Sequence, residues 1–363
     1  VQKPKVNLLL SVLRRPSSAL ELVETEWDLL LRIARSEGLL ARLCVQFEAN
    51  GSFKLLPVKV QQNLAAATII ASDNERMIIW EVDRIEHALA KLNIPVILLK
   101  GAAYVKADLP PAKGRLASDV DILVPSSALD KVELALMAEG WESTKLMPYA
   151  QKYYRKWMHE LPPLRHIIRQ TVVDVHHTIL PQTSRLKPNP ELLIKASVPI
   201  RDSTFKVLAP VDMVLHSATH LFYDGDLDHG LRDLVDLHDL ISLFGSDSQF
   251  WQLLELRTRE LQLERPLFYT LRFCKSLLHT RIPEDSLKQA ATGSPPWFVS
   301  KIMDALVSQA LTPVLNHPVK PVTKLAHWML YVRSHYLRMP LYLLIPHLAR
   351  KSLTHGRGAE NEF

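Results

Sequence analysis

The sequence predicts an α+β protein, with a small mixed sheet embedded between N-terminal and C-terminal helical regions. Three observations carry that expectation. Leu/Ala/Glu/Arg-rich stretches with a helical apolar period fill most of the 363 residues. Glycine is scarce, 11 residues where average usage is about 7%. A central segment switches to short Val/Ile-rich runs with strand character, from Val96-Ile-Leu-Leu-Lys-Gly101 to Thr171-Val-Val-Asp-Val-His-His-Thr178. The chain is therefore expected to divide into a helical region 1–93, an αβ core 94–205, a helical region 206–353 and a disordered tail 354–363.

Each element has a local reason. Ser18 to Ser36 places Leu20, Val23, Trp27, Leu30, Leu31 and Ala34 on a helical period. Gly38 punctuates it, and Leu39 to Ala49 continues as a second helix. Ser72-Asp73 is expected to cap the next helix, whose stripe is Ile78, Val82, Ile85, Leu89 and Leu92, and Asn93-Ile94-Pro95 ends it. The core follows as strand 95–99, helix 101–107, loop 108–117 and strand 119–124. Pro125-Ser126-Ser127 starts a helix that runs to Glu139 and is closed by Gly140. Strands are expected near 141–146, 163–169 and 171–179, the last two paired across a turn at Arg169-Gln170. Pro181 to Pro199 reads as a proline-bearing connection. Past Pro210 the chain reads as helices, with Asp224-Gly-Asp-Leu-Asp-His-Gly230 a polar loop between two of them.

The chemistry gathers in the core. Asp119 and Asp121 stand two apart in a strand, so both carboxylates project from one face while Val120 and Ile122 pack behind. Like charges that close are costly unless something positive lies between them. A divalent metal answers that need, and hard oxygen ligands suit Mg²⁺. A second strand offers Asp174 as a third acid. His176 shares its face as a metal ligand, a phosphate contact or a proton shuttle, and His177 points the other way. Gly101 opens a helix directly after a strand, where free backbone N–H groups can meet a phosphate. Lys100 can neutralise a phosphate or pair with Asp119. Arg115, four residues before Asp119, offers a planar fork for phosphate oxygens or a structural salt bridge.

Taken in order, Leu99-Lys100-Gly101, Arg115, Asp119-Val-Asp-Ile-Leu-Val124 and Asp174-Val175-His176 resemble the nucleotidyltransferase superfamily that includes DNA polymerase beta. The resemblance is closer to a bacterial family of largely uncharacterised nucleotidyltransferases, and it covers roughly residues 25–290. It implies a sheet of the nucleotidyltransferase type and Mg²⁺- or Mn²⁺-dependent transfer of an NMP group from an NTP, by a two-metal mechanism, to a hydroxyl or phosphate acceptor. Asp119, Asp121 and Asp174 would be the catalytic and metal-binding acids. Lys100, Gly101, Arg115 and His176 would face the nucleotide phosphates. The acceptor is left open among a small molecule, a peptide or protein, and RNA. The same site is compatible with phosphoryl transfer or modification of a peptide or protein, and a catalytically degenerate nucleotide- or partner-binding protein is the third reading. Two departures stand out: Gly101-Ala102 replaces the usual Gly-Gly or Gly-Ser, and sixteen residues separate Ala102 from Asp119. Without a Ser hydroxyl, charge from Lys100 and Arg115 has more of the holding to do.

A further constellation lies in the helical part. His216 and His220 are four apart on one helix face, and Arg232, Asp233, Asp236 and Asp239 follow. Two His and an acid can make a metal site. The family resemblance also includes a helical His and a downstream R-x-x-x-D element, matched by His220 and Arg232 to Asp236. These are expected to form a buried polar network that closes helices over the nucleotide site.

Composition bounds the rest. Hydrophobic residues make up 47%, enough for a substantial core. Cys44 and Cys274, far apart in apolar helical contexts, are expected to be buried reduced thiols. The net charge of +6 is mild. Basic residues gather in 145–169 and toward the C-terminal end at Lys320, Lys324, Arg333, Arg338, Arg350 and Lys351, which fits a solvated surface, a polyanion such as RNA, or attraction for a triphosphate. The sequence given opens without Met and without a leader-type segment, and no run approaches the ~20 apolar residues of a membrane-spanning helix. A soluble cytoplasmic protein is expected, with its oligomeric state open.

Overall fold

The computed structural model describes residues 8–145, 147–223, 227, 229–312, 321–340, 342 and 344. Four helices come first: α1 (Leu8–Arg14), α2 (Glu24–Ser36), α3 (Leu40–Ala49) and α4 (Val58–Leu89). The helix expected from Ser18 is broken. A 3₁₀ segment spans Pro16–Glu21, Leu22 and Val23 are extended, and Glu26 reaches back to the Val23 amide at 3.3 Å to begin α2. The cap expected at Ser72-Asp73 is absent. Helix α4 runs through it for 32 residues, because the Leu64–Ala71 stretch is helix-compatible throughout and Asp73 pairs with Arg76 on the surface instead. Asn93, in the left-handed region at φ 47°, stops the chain where the sequence predicts.

The sheet has seven strands: β1 (Ile97–Leu98), β2 (Asp119–Leu123), β3 (Trp141–Ser143), β4 (Leu164–His166), β5 (Val172–His176), β6 (Val198–Pro199) and β7 (Lys206–Val207). Their order is β3-β4-β5-β2-β1-β7-β6. Strand β2 lies parallel to β5 and antiparallel to β1, and β4–β5 is antiparallel across the Arg169-Gln170 turn, with Gln170 at φ 60°. The strands are shorter than the sequence predicts, and β6 and β7 are additional to it. Helices α5 (Lys100–Lys106), α6 (Leu129–Ala138), α7 (Pro148–Trp157) and α8 (Pro190–Ala196) connect the strands. The last lies within the proline-bearing connection, and the Asn189 side chain caps it by accepting from the Glu191 amide at 2.9 Å.

The C-terminal part is helical as expected: α9 (Pro210–Tyr223), α10 (Gly230–Phe244), α11 (Ser248–Leu261), α12 (Glu264–Leu278), α13 (Glu284–Ala290), α14 (Trp297–Ala310) and α15 (Pro321–Arg338). The architecture is α+β, a mixed sheet flanked by helices. Val120, Ile122, Val173 and Val175 are buried between the acids of their strands, and α9 buries most of its length. Cys44 and Cys274 are buried free thiols. Among the described residues no helix is long and apolar enough to cross a membrane. Most of the 224–230 loop, residues Lys320, Arg350 and Lys351, and the tail 354–363 lie outside the described residues.

Candidate active site

The register of β2 against β5 builds the acidic face. Asp121 and Asp174 are lateral partners, Asp119 sits opposite Val172, and Leu123 opposite His176. Alternation then puts Asp119, Asp121, Asp174 and His176 on one side of the sheet. The Asn74 side chain on α4 fixes the approach to β2: its Oδ1 accepts from the Ala117 amide at 2.8 Å, and its Nδ2 donates to the Ala117 carbonyl at 2.9 Å.

The three carboxyls differ in state. Burial opposes ionisation of Asp121, but the Lys100 charge (Nζ–Oδ2 3.5 Å) and the His176 Nε2 contact (2.9 Å to Oδ1) outweigh it and hold the carboxyl well below the ordinary range. At Asp174 the Lys100 charge also favours the ion but is outweighed. Burial, then the charges of Asp121 and Asp119, push its carboxyl up to about 8, and its Oδ1 is buried with no hydrogen-bond partner. Asp119 is raised by burial and by Asp121. An orphaned buried carboxyl oxygen beside two more acids is what a cation would satisfy, so this donor set fits a hard divalent ion. The three carboxylates do not form a tightly closed set as they stand, because Asp121 is drawn toward Lys100 and His176.

Lys100, Gly101 and Arg115 line a cavity of about 140 Å³ together with Tyr104, Ser118, Asp119, Asp121 and, from the helical part, His220, Arg232, Asp233 and Asp236. Lys100 is the first residue of α5, one before the expected helix start, and holds φ 44°, a left-handed conformation that costs an L side chain about 1–2 kcal/mol. It faces Asp121 and not Asp119. Gly101 is required by Arg115: a Cβ there would stand 2.6 Å from Arg115 Nη1 and 3.1 Å from Ala117 Cβ. The guanidinium is almost fully buried. Its Nε donates to Asp236 Oδ2 at 2.8 Å, and its Nη2 lies 3.9 Å from Asp233 Oδ1. Burial works against its charge, but Asp236 and Asp233 hold the proton on more firmly than usual.

The helical constellation splits in two. Asp236 takes Arg115 from the other side of the cavity. Asp233 takes Arg232 (3.1 and 3.2 Å) and lies 3.9 Å from His220 Nδ1. Asp239 belongs elsewhere and pairs with Arg42 of α3, whose Nη1 also donates to the Pro110 carbonyl at 2.8 Å. His216 is buried, and burial and the Lys100 charge push it well below the ordinary histidine range, so it stands neutral. Among the described residues, His216 and His220 do not form a close set with a third ligand.

His176 is placed differently from a phosphate contact. It is buried behind Asp121 and does not line the cavity. Its Nδ1 faces Glu160 Oε2 at 3.5 Å, and the same oxygen lies 3.7 Å from His159 Nε2. The sequence reading passed over His159 and Glu160. They follow α7 in an irregular segment, and only the isolated bridge between Glu160 and His176 brings them to β5.

Residues 23–279, more than half of the chain, match the family described as uncharacterised nucleotidyltransferase. The chain belongs to that family, and the family makes it a transferase. No curated protein matches. Among solved structures, a nucleotidyltransferase-like antigenic protein from Paracoccidioides brasiliensis is similar at 18% identity, over 57% of this chain and 98% of that one, with a TM-score of 0.29.

Proposed function

We propose that this nucleotidyltransferase moves an NMP group from an NTP to a hydroxyl or phosphate acceptor at the face formed by Asp119, Asp121 and Asp174, with Mg²⁺ or Mn²⁺ held by those three carboxylates. The observation that carries the reading is the lateral pairing of Asp121 with Asp174, whose buried Oδ1 has no partner. Bound there, two such ions would activate the attacking hydroxyl and stabilise the departing pyrophosphate.

The chain's own groups have definite parts. His176 and Lys100 orient the Asp121 carboxylate, which stays ionised. Asp174 would bind as a carboxylate once a cation displaced the proton that burial and its acidic neighbours hold on it, and the carboxylate could then accept the proton of the attacking hydroxyl. Lys100, which lines the cavity beside Asp121, would meet the triphosphate. Arg115, held by Asp236 and Asp233 on the cavity wall, presents fixed positive charge toward the same space. His176 acts as a positioning residue through Asp121. In this reading the αβ core 94–205 carries the acids, the helical regions 1–93 and 206–353 wall the cleft, and the reaction belongs in the cytoplasm.

The test is incubation of the protein with each NTP and Mg²⁺ or Mn²⁺, alone and with cell extract, followed by mass analysis of products. An acceptor heavier by one NMP, with pyrophosphate released, supports the reading. An acceptor heavier by one phosphoryl group assigns phosphoryl transfer instead. NTP binding without any product under all conditions assigns a binding protein.

A further inference from the structure

We propose that His159, Glu160 and His176 form a second metal site, for a borderline transition cation of the zinc type, built behind the acidic face and separate from it. The site stands or falls independently of the nucleotidyl-transfer reading.

Geometry supports it first. One ligand atom from each of the three residues lies within 4.8 Å of the others. Glu160 Oε2 is the hinge, 3.7 Å from His159 Nε2 and 3.5 Å from His176 Nδ1. Nitrogen and oxygen ligands about 2.0–2.2 Å from zinc stand about 3.3–3.6 Å apart across a tetrahedral edge. Two edges of such a site are therefore nearly in place. The backbones carrying the ligands are tied together. Glu160 bridges His176, the Leu161 amide donates to the Val175 carbonyl at 2.9 Å, and the His177 amide donates to the His159 carbonyl at 2.9 Å. A cation can reach the site because the His159 and Glu160 side chains keep 14% and 15% of their surface exposed, while His176 keeps 3%.

Hydrogen bonding supplies the second, independent observation. His176 Nε2 is taken up by Asp121, 2.9 Å from its Oδ1. The other ring nitrogen, Nδ1, is the one left to meet a metal. That nitrogen is buried without a hydrogen bond, and it points at a carboxylate oxygen. A cation between that nitrogen and Glu160 Oε2 would satisfy both. A metal-bound histidine whose other nitrogen donates to a carboxylate is the usual outer arrangement of such sites. Two imidazoles and one carboxylate favour Zn²⁺ or Co²⁺ over Mg²⁺. His176 would then couple the site to Asp121 and fix that carboxylate in position.

The experiment is metal analysis of the full chain, purified without a metal-chelating tag and dialysed, with Co²⁺ titration followed by visible absorption. The expected result is about one zinc per chain, or one equivalent of Co²⁺ with the intense bands of tetrahedral coordination. His159→Gln and Glu160→Gln should each abolish retention on dialysis and the intense bands, with far-UV circular dichroism unchanged. Asp119→Asn and Asp174→Asn should keep both. Absence of any Co²⁺ or Zn²⁺ complex in the parent overturns the proposal. Equal metal content in His159→Gln, Glu160→Gln and the parent overturns it as well. Should one variant misfold, the other, together with the Co²⁺ spectrum of the parent, still decides.

Discussion

Asp236→Ala is the perturbation whose size the structure fixes best. Arg115 Nε and Asp236 Oδ2 are 2.8 Å apart with side chains 12% and 8% exposed. At an effective dielectric of about 20 that contact is worth about 6 kcal/mol of Coulomb energy, offset by burying both ions. Removing Asp236 leaves the guanidinium buried, and breaking such a pair from one side costs about 3–5 kcal/mol. Asp233 Oδ1, still 3.9 Å away, retains about 4 kcal/mol of attraction, which puts the expected loss near the lower end, about 3 kcal/mol. Asp233→Ala breaks no hydrogen bond to Arg115 and should cost less, about 1 kcal/mol. The assay is urea unfolding of the parent, both alanine variants, Arg115→Met and the double variant Arg115→Met/Asp236→Ala. With the cation gone, removing Asp236 should be neutral or stabilising, so the cycle should be strongly non-additive. Additive losses, or a loss under about 1 kcal/mol for Asp236→Ala, would refute the claim that this pair fixes the cavity wall.

Other expectations follow from the same contacts. Asp212 is fully buried and held bidentately by Arg257 at 2.6 and 2.8 Å, so Arg257→Ala should cost about 3–5 kcal/mol in urea unfolding, and a loss within about 0.5 would contradict it. The folded carboxyl of Asp174 titrates near 8 against about 4 in an unfolded chain. Its contribution to stability is therefore fully present below the lower value and is lost as pH rises through the upper one. In chelator, the melting temperature of the parent should fall over that window more than that of Asp174→Asn, and parallel pH curves would contradict the assignment. Asp121 is in the opposite state, stabilised as an ion by Lys100 and His176, so Asp121→Asn should lower the metal-free melting temperature while Asp174→Asn raises it. Lys100 holds φ 44°, so Lys100→Gly should be more stable than Lys100→Ala by about 1 kcal/mol, with both raising the KM for NTP; equal stabilities would show that the backbone is unstrained.

Legibility in the sequence followed the range of the interaction. Strand alternation placed Asp119, Asp121, Asp174 and His176 on one face, and the Arg169-Gln170 turn revealed that β4 and β5 are neighbours, because both signals are local. Helix α5 begins at Lys100, one residue before the expected start, since a left-handed lysine between a strand and a helix leaves no trace in composition. The cap expected at Ser72-Asp73 failed because those residues favour caps only where the preceding stretch cannot stay helical, and Leu64–Ala71 can. Pairings between distant positions were beyond local reading. Arg115 with Asp236, Glu81 with Arg169 and Asp212 with Arg257 are each set by packing of elements far apart in the chain. Gly101 is expected to offer free backbone N–H groups to a phosphate, and the structure shows it first as room for Arg115. His159 and Glu160 carried one weak signal, a His-Glu pair one strand away from Asp174-Val175-His176, with no spacing rule to join them.

The most direct measurement of the central claim follows both phosphates of one substrate. The preferred NTP, labelled in separate reactions at the α- and γ-phosphorus, is incubated with acceptor and Mg²⁺, using the parent, Asp121→Asn and Asp174→Asn. The expected result is α-label on the acceptor, γ-label in pyrophosphate, and loss of both signals in chelator and in either variant. Transfer of the γ-label to the acceptor, or parent-like turnover in both variants, would contradict nucleotidyl transfer at this acidic face.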